Sequence, residues 1–300
     1  MKHVSIVIVN WNGKKDTIAC LASIKAMKKT DAVVDTIVVD NGSTNDSVRA
    51  IKSTHPWVRI IELPENKGFS GGNNVGILSA FLQKADYVWL LNNDTVVEVN
   101  ALTILNAFED ESVGVAGSKI YFQAGHEYHK ERYAKNEQGK VFWYAGGIVD
   151  WDNMYASHKG VDELDRGQYD IVSDTPFVTG CSFMISKEVI KKVGLLDDKY
   201  YLYLEDLDYC LRVKRAGFNL RYFPSSIIWH VNAGSSGGSG SKLHEYYMTR
   251  NRLLIGMRYA PFKTKCALIR EAGRFLMSGS AIKKRAVLDA LFGKWGKRYE

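Results

Sequence analysis

The stretch YVWLLNNDT, from Tyr87 to Thr95, places a short apolar run directly before three polar residues. An apolar run without alternation is typical of a strand that is buried on both faces of a parallel sheet. Open α/β sheets bind their ligands at the carboxyl end of such strands. Asp94 is therefore a candidate ligand for a hard cation, although an aspartate that begins a turn or caps a helix has the same sequence context.

Two similar apolar runs lie upstream of this stretch. Residues 4–9 are followed by Asn10, and residues 36–39 are followed by Asp40. Segments with helical spacing separate the runs, so we predict an α/β fold with a mixed, mostly parallel sheet and helices on both faces. Because parallel strands share a carboxyl edge, Asn10, Asp40 and Asp94 are expected to converge there.

A glycine-rich turn, NKGFSGGNN over residues 66–74, precedes a predicted helix that extends through Leu82. Backbone N–H groups at a helix N-terminus suit a ligand that carries phosphate. The GxGxxG fingerprint does not follow the first strand, and no GxxxxGK[ST] motif occurs in the sequence. These observations disfavour an NAD-dependent enzyme and a P-loop NTPase.

The remaining elements are predicted from periodicity and from stop signals. They are helices over 15–28 and 47–54, a strand over 58–63, loops and short strands over 120–137, a strand or hairpin over 141–149, a strand over 177–185, a helix over 186–193, a helix from Leu204 to Gly217, a short strand over 227–229, a flexible loop or linker over 234–241, and tail helices over 246–257 and 281–292.

Three carboxylates, Glu205, Asp206 and Asp208, fall in the first turn of one predicted helix. One interpretation is a charge cluster that is stabilised by the helix dipole. The other is a general base at Asp206 whose pKa is raised by its acidic neighbours. The tyrosines at positions 200, 201 and 203 are either a stacking surface for a sugar or part of the core.

His230 follows the last predicted strand, as Asp94 follows the opening one. A carboxylate and an imidazole together suit Mn²⁺ or Mg²⁺ that is also bound through the diphosphate of a substrate. The alternative for His230 is a histidine that is satisfied within the core.

Charge is unevenly distributed along the chain, whose net charge is +7. Residues 242–300 hold 14 basic and 4 acidic residues, a balance of +10, which leaves 26 basic and 29 acidic residues, or −3, in the rest. Lys283, Lys284 and Arg285 lie near Leu288, Leu291, Phe292 and Trp295, a pattern that indicates either a peripheral membrane contact or a packed helix with solvated charges. The nearly neutral body offers no basic face, which disfavours nucleic-acid binding.

The compartment is expected to be the cytoplasm, with peripheral contact at the inner face of the membrane. No run of 18 apolar residues occurs, and the amino-terminal residues lack the features of a signal peptide. The four cysteines are far apart in sequence and form no CxxC pair, so reduced thiols are expected rather than a disulfide framework or a zinc site.

Seven blocks taken together resemble the family 2 glycosyltransferases of the GT-A fold, and most of all the bacterial rhamnosyltransferase-type branch. In order along the chain they are VSIVIVNWNG, IVVDNGSTNDS, NKGFSGGNNVGI, YVWLLNNDT, FVTGCSFMI, YLYLEDLDYCLRVKRAGF and IIWHVNAGSS. The match extends from Val4 to about Ser236, and the basic tail is less diagnostic.

The resemblance implies a role for each matching residue. Asp40 would recognise the nucleotide base, and Asp94 and His230 would hold the metal. Asp206 would be the catalytic base. The donor and its nucleotide would also meet Val9, Asn10, Asn12, Asn41, Asn66, Gly68, Asn73, Asn74, Asn92 and Asn93. The acceptor would meet Thr179, Gly180, Tyr203 and Glu205. Asparagines occupy the first two positions of the family's DXD motif, so this motif does not specify the donor.

The implied function is metal-dependent, inverting transfer of a sugar to a hydroxyl group in surface polysaccharide synthesis. The donor would be dTDP-rhamnose or, second, a UDP-hexose, and the acceptor a glycan or a lipid-linked precursor. A catalytic domain over 1–240 and a basic helical region over 241–300 are expected.

Two other functions remain open at this point. A non-catalytic scaffold that binds nucleotide-sugars or glycans would not need Asp94, Asp206 and His230 together. A nucleotidyltransferase would need a glycine-rich basic signature after the first strand, where this chain has Asn10-Trp11-Asn12-Gly13.

Overall fold

The computed structural model describes residues 1–29, 32–231 and 240–299. The strands are β1 (Lys2–Asn10), β2 (Ala32–Asp40), β3 (Arg59–Glu62), β4 (Tyr87–Asn92), β5 (Thr95–Val97), β6 (Val113–Phe122), β7 (Phe142–Tyr144), β8 (Gly147–Asp150), β9 (Tyr155–His158), β10 (Ser173–Asp174), β11 (Ser182–Ser186) and β12 (Asn219–His230). The α-helices are α1 (Lys14–Ala26), α2 (Ser47–Thr54), α3 (Gly68–Leu82), α4 (Lys187–Val193), α5 (Glu205–Arg215), α6 (Lys242–Tyr259), α7 (Phe262–Ser278) and α8 (Ala281–Leu291). Two 3-10 segments cover Ala101–Glu109 and Lys130–Arg132.

Within the described ranges, the main sheet has the strand order β3-β2-β1-β4-β11-β6-β12-β10, with β7 paired to β6, and β8 and β9 form a separate two-stranded sheet. The long ladders are parallel: β1 with β2, β1 with β4, and β6 with β12. β11 runs antiparallel between β4 and β6, and the short β5 adds to the end of β12. The prediction of a mixed, mostly parallel sheet is confirmed.

Side chains of β1 alternate between two cores, one on each face of the sheet. Ile6 and Ile8 belong to the same core as buried residues of α1 and α2, whereas Val7 belongs to the core that includes residues of α3, α4 and α5. The glycines of α3 allow this helix to approach the sheet closely, since a Cβ atom added at Gly76 would lie 2.2 Å from Cγ1 of Val7. Helices therefore cover both faces, as predicted.

Two strands are longer than the sequence indicated. Residues 120–122 were expected in loops and short strands, but they end the ten-residue strand β6, which is buried throughout. The last strand was expected to cover only 227–229, but β12 has 12 residues. Pro224 and two serines interrupt the apolar pattern of β12, and a register shift between Phe223 and Ile227 accommodates them.

Two other segments differ from the predictions. The strand expected over 177–185 begins only at Ser182, because the preceding loop turns toward α5, where the backbone N–H of Gly180 donates to Asp206 at 2.9 Å. Helix α7 was not predicted at all. The flexible stretch expected over 234–241 lies almost entirely outside the described residues.

The C-terminal helices pack on the rest of the fold. Leu254 and Ile255 of α6 belong to the same core as Leu207 and Leu211 of α5. A domain boundary at residue 240 remains a prediction. Among the helices of the described ranges, none has both the length and the apolar composition needed to cross a bilayer.

Candidate active site

A chain of hydrogen bonds joins the carboxyl ends of three parallel strands. Asn10 and Asp40 end neighbouring strands in register, and Asn10 Nδ2 donates to Asp40 Oδ1 at 2.7 Å. Thr17 of α1 donates to Asn10 Oδ1 at 2.9 Å and accepts from Asn93 Nδ2 at 3.0 Å. Gly13 is required beside this chain, because an added Cβ atom would lie 2.3 Å from Asn93 Nδ2.

The loop after β2 is held by two of the predicted nucleotide-binding residues. Asp40 is buried and accepts from both the backbone N–H and the hydroxyl of Ser43. Asn12 is exposed, has a left-handed backbone (φ 56°), and accepts at Oδ1 from the N–H groups of Thr44 and Asn45. These contacts shape the loop in which a base would be recognised.

The glycine-rich turn lies against this edge but does not leave its N–H groups for a phosphate. Asn41 Oδ1 accepts from Lys67 N, and Asn66 Oδ1 accepts from Gly68 N. The N–H groups of Phe69 and Ser70, at the start of α3, donate to the carbonyl of Tyr201 at 2.7 and 3.4 Å. The expectation that this helix N-terminus is an open anion site is therefore wrong for these donors, because protein oxygens already occupy them.

The side-chain amides of Asn73 and Asn74 form hydrogen bonds with other residues of the protein. Asn73 Nδ2 donates to the carbonyl of Phe69 one turn earlier. Asn74 both accepts from Leu196 N and donates to Leu196 O and to Asp198. The bonds of Asn74 tie α3 to the segment before α5, whereas the bond of Asn73 lies within α3. Both side chains thus have a structural role, and their contact with a donor stays a prediction.

A cavity of about 660 Å³ opens above the strand ends. Of the residues predicted to meet the donor, Val9, Asn41, Asn66, Gly68, Asn92 and Asn93 line it, and so does the predicted metal ligand Asp94. Its other walls come from Trp11, Phe69, Leu91, Tyr201, Leu202, Tyr203, Leu243 and Tyr299. The cavity therefore has a polar floor at the sheet edge and a largely apolar wall on the opposite side.

Asp94 and His230 are brought together by the main chain. Strand β5 pairs with the end of β12 so that Thr95 lies opposite His230, and the N–H of Val231 donates to the carbonyl of Asp94. His230 Nε2 lies 3.1 Å from Asp94 Oδ1, and both side chains are buried. Trp143 packs edge-on against the His230 ring at 4.5 Å.

These two side chains fit a divalent cation as a partial ligand set. Carboxylate oxygen and imidazole nitrogen are ligands that Mn²⁺ accepts. Adjacent ligands of a six-coordinate ion with bonds of about 2.1 Å lie about 3 Å apart, and the observed separation is 3.1 Å. Within the described ranges no cluster of three or more His, Cys, Asp or Glu residues could hold a metal. A cation here would need further oxygens from a diphosphate and from water.

Glu205 and Asp206 begin α5 with contrasting environments. Asp206 accepts from the N–H groups of Gly180 and Leu207 at 2.9 and 2.8 Å, which favours its ionised form. Glu205 is buried, and its Oε2 has no hydrogen-bond partner within the described chain. Burial raises the pKa of both carboxyls, and for Glu205 the charge of Asp206 raises the pKa further. The neutral form is therefore favoured more strongly at Glu205 than at Asp206.

The four predicted acceptor residues do not share one surface. Tyr203 lines the cavity, whereas Thr179 and Glu205 are buried. A Cβ atom added at Gly180 would lie 3.0 Å from Cζ of Phe69 and 3.8 Å from Cβ of Asp206. The three neighbouring tyrosines also differ in their position relative to the cavity. Tyr200 is fully buried, while Tyr201 and Tyr203 face the cavity.

Sequence reasoning missed several residues of the cavity. Trp11 is an exposed aromatic residue (42%) between two of the predicted residues, and this position was a usable signal. Leu243 and Tyr299 come from the region that was expected to be separate, and no local pattern marks them. Thr17 is the link between Asn10 and Asn93, but a single threonine on a helix is not distinctive in sequence.

The fold and the site define a GT-A glycosyltransferase architecture. A structure of GalNAc-T7 with UDP, GalNAc and Mn²⁺ superimposes with a TM-score of 0.67 at 17% identity, covering 99% of this chain and 55% of that one. The mannosyltransferase PcManGT from Pyrobaculum calidifontis, in complex with GDP-Man and Mn²⁺, gives a TM-score of 0.56 at 15% identity, covering 97% of this chain and 74% of that one.

The family follows from the sequence match. Residues 2–256 match the family described as "Glycosyltransferase like family 2", and the chain belongs to this family. The predicted family and the GT-A fold are thus confirmed.

Curated relatives are similar at low identity. The chain is 24% identical to the low-salt glycan biosynthesis hexosyltransferase Agl10 of Haloferax volcanii (73% of this chain, 64% of that protein). It is 24% identical to the dTDP-rhamnosyl transferase RfbF of Shigella flexneri (84% and 79%). It is 23% identical to the N-acetylglucosaminyl-diphospho-decaprenol L-rhamnosyltransferase of Mycobacterium tuberculosis (69% and 70%). The match thus spans about two thirds of the length of the Haloferax protein, and two of these relatives are rhamnosyltransferases.

The buried state of Glu205 generates a stability prediction for Glu205→Gln. When folding raises the pKa of a carboxyl, the folded protein becomes less stable as the pH increases above the pKa of that carboxyl in the unfolded chain, about 4.3 for glutamate. Glutamine does not ionise, so the variant should be at least as stable as the wild type at pH 7. Its advantage should shrink as the pH falls toward about 4. Urea unfolding at several pH values measures this difference, and a large loss of stability at pH 7 would show that Glu205 is ionised and paired.

Proposed function

We propose that this chain transfers a sugar from a nucleotide-diphospho-sugar to a hydroxyl group with inversion at the anomeric carbon. One observation carries the proposal. In a family 2 chain, a single cavity joins the Asn92–Asp94 end of β4 to the loop 201–203, and that loop leads directly into Asp206. The cavity thus borders a candidate metal ligand on one side and, on the other, the loop that precedes the candidate base.

The donor would bind over the polar floor of this cavity. Asp40 and the loop that it holds would recognise the base, and Asn92 and Asn93 would face the nucleotide and the sugar. The similarity to proteins named as a dTDP-rhamnosyl transferase and a hexosyltransferase supports dTDP-rhamnose as the first candidate and a UDP-hexose as the second.

Asp94 and His230 would hold Mn²⁺ or Mg²⁺. The support is their 3.1 Å separation and the Mn²⁺ in two structures of the same fold. When bound, the cation neutralises charge on the departing nucleoside diphosphate. Asp94 and His230 need only present a carboxylate oxygen and a neutral imidazole nitrogen at one place, which the pairing of β5 with β12 provides.

Asp206 would act as the general base. Its carboxylate takes the proton of the acceptor hydroxyl while that oxygen forms a bond to the anomeric carbon. The bond from this carbon to the diphosphate oxygen breaks on the opposite face, so the nucleoside diphosphate leaves with the electron pair. A pKa raised by burial makes Asp206 a stronger base than an exposed aspartate, and two backbone N–H groups keep it oriented.

The acceptor would be a glycan or a lipid-linked precursor in surface polysaccharide synthesis. The similarity to a protein named for transfer to a diphospho-decaprenol-linked sugar supports a lipid-linked acceptor. The apolar wall of the cavity, which includes Leu202, Leu243 and Tyr299, also suits a ligand with apolar surface.

A lipid-linked acceptor places the enzyme at a membrane surface, and α7 and α8 offer a matching face. Phe262 and Met277 of α7 are 82% and 78% exposed, and Phe292 after α8 is also exposed. Lys263, Arg270 and Arg274 lie on the same helix as the first two. Ala286 and Val287 of α8 are buried, so this helix also packs on the protein, as the second interpretation of the tail required. We therefore propose a cytoplasmic enzyme that binds peripherally to anionic lipid.

The base assignment predicts that Asp206→Asn lowers the transfer rate by about 10² to 10⁴-fold, because the amide cannot accept the proton. Binding of UDP or dTDP with Mn²⁺ should persist. Glu205→Gln is the matched control on the adjacent carboxyl and should retain transfer within about tenfold. The wild-type rate should fall with decreasing pH through a pKa above 3.8. Full activity of Asp206→Asn would show that Asp206 is not the base. A wild-type protein that neither transfers nor hydrolyses any donor sugar would favour the alternative function, a non-catalytic scaffold that binds nucleotide-sugars or glycans.

The metal assignment predicts a change in Mn²⁺-dependent nucleotide affinity. Asp94→Asn and His230→Gln should each weaken binding of UDP or dTDP in the presence of Mn²⁺ by about tenfold or more, since a loss of about 1.4 kcal/mol already gives tenfold. Binding without the metal should change little. Calorimetric titration of the protein with UDP or dTDP, once with Mn²⁺ present and once with EDTA present, measures both affinities. Equal wild-type affinities under the two conditions would contradict the assignment.

The membrane proposal predicts that the protein co-sediments with vesicles that contain anionic lipid and less with neutral vesicles or in high salt. A Phe262→Ser/Met277→Ser double variant should lose this binding. Leu82→Ser/Ile171→Ser is the control, because these residues are 81% and 79% exposed but lie outside α7 and α8. Equal binding of the two double variants would show that the α7 face is not the contact.

A further inference from the structure

The loop before Glu205 has an unusual backbone. Tyr201, Tyr203 and Leu204 all have positive φ values, of 64°, 70° and 68°. A residue with a side chain pays about 1–2 kcal/mol for this left-handed conformation. Three such residues within four positions need support from outside the loop, because the loop alone would relax toward ordinary backbone angles.

Asn251 of α6 supplies part of that support. Its Nδ2, which has two N–H groups, lies 3.0, 2.8 and 2.9 Å from the carbonyl oxygens of Tyr200, Leu202 and Tyr203, so that these acceptors share the two donors. Asn251 is fully buried. One side chain therefore contacts three carbonyl oxygens of the loop.

Arg250, the preceding residue, also binds carbonyls of this loop, and the side chains of Arg250 and Asn251 together form a clamp on it. Its Nη2 donates to the carbonyls of Lys199 and Tyr200, both at 2.9 Å, and its Nη1 donates to the carbonyl of Gly296 at 2.7 Å. Its Nε donates to Asn251 Oδ1 at 3.0 Å, which orients the amide of that residue. The guanidinium is fully buried and lies 4.8 Å from the centre of the Tyr247 ring.

The held loop reaches two parts of the site. The carbonyl of Tyr201 accepts from Phe69 N and so anchors the start of α3 below the cavity. Leu204 leads into Glu205 and Asp206. Farther along α6, Arg258 and Tyr259 bond to the buried Asp208, one turn into α5, at 3.1 and 2.8 Å. Helix α6 thus holds the base-bearing segment from both sides.

We propose that Arg250 and Asn251 are positioning residues that hold loop 199–204 in its left-handed form and thereby orient Asp206. The proposal rests on the proposed function in taking Asp206 as the base. It assigns to the C-terminal region a role in the reaction. The two residues hold backbone carbonyls and do not line the cavity, so they act through the loop and not on substrate.

The test compares Asn251→Ala with Arg252→Ala. Arg252 is the next residue of the same helix, and it also makes three side-chain hydrogen bonds, to Asn153 and Glu271, but none of them reaches the loop. Hydrogen–deuterium exchange gives a readout that does not depend on activity. In Asn251→Ala, exchange at the Phe69 and Ser70 amides should rise, because their acceptor carbonyl on Tyr201 is released. In Arg252→Ala it should not change.

The kinetic readout separates positioning from binding. A displacement of about 1 Å at a reacting group costs about 10²-fold in rate. Asn251→Ala should therefore lower kcat by roughly 10- to 100-fold, with a smaller change in the affinity for UDP or dTDP with Mn²⁺. Asn251→Ser, which keeps one donor, should be intermediate and provides a milder variant if the alanine variant folds poorly.

The outcomes are distinct. Unchanged exchange at Phe69 and Ser70 in folded Asn251→Ala, or an unchanged kcat, would overturn the clamp. Equal losses in Arg252→Ala would show a general destabilisation instead and would also overturn it. A wild-type protein without transferase activity would refute the proposed function, while the exchange result would still show whether the clamp exists.

Discussion

The polar groups at the ends of β1, β2 and β4 depend on the parallel register of β1 with its two neighbours. Asn10 lies opposite Asp40, and Val9 lies opposite Asn92, so three strand ends reach the same level of the sheet. Short side chains can then bridge from strand to strand, with Thr17 as the single intermediate between Asn10 and Asn93. A shift of two residues in either ladder would move these amides about 6–7 Å apart and break the chain of hydrogen bonds. The apolar β1 side chains on both faces of the sheet therefore determine the geometry of the polar edge.

The half of the sheet beyond β4, which mixes parallel and antiparallel pairs, contributes a different side chain to the site. Strand β12 runs parallel to β6, and its last residue reaches β5 just beyond the end of β4. His230 is thereby delivered to Asp94 from 136 residues away in sequence. The residues proposed to face the nucleotide come from the βαβ half of the fold, and the imidazole comes from the second half. The site exists only where the two halves meet.

The strand ends were predictable from sequence because burial on both faces leaves an apolar run with an abrupt polar end, as at Val4–Val9 before Asn10 and at Val88–Leu91 before Asn92. Other features depend on contacts that leave no local pattern. The capping of α3 by the Tyr201 carbonyl requires left-handed angles at residues that usually avoid them. Strand β12 was underestimated because Pro224 sits at a bulge, where a ladder tolerates it. Leu243 and Tyr299 reach the cavity only through the packing of α6 and α8, which pairwise spacing cannot indicate.

Arg250 and Asn251 of α6 hold loop 199–204 through its main-chain carbonyls, so these hydrogen bonds do not involve the side chains of the loop. The side chains of Tyr201, Leu202 and Tyr203 line the cavity, while Asn251 of α6 holds the backbone carbonyls of Tyr200, Leu202 and Tyr203. Those three positions can change identity without removing any donor that holds the loop. Natural variation and directed evolution therefore have a segment in which the shape of the pocket wall can be altered separately from the placement of the carboxylate that follows it.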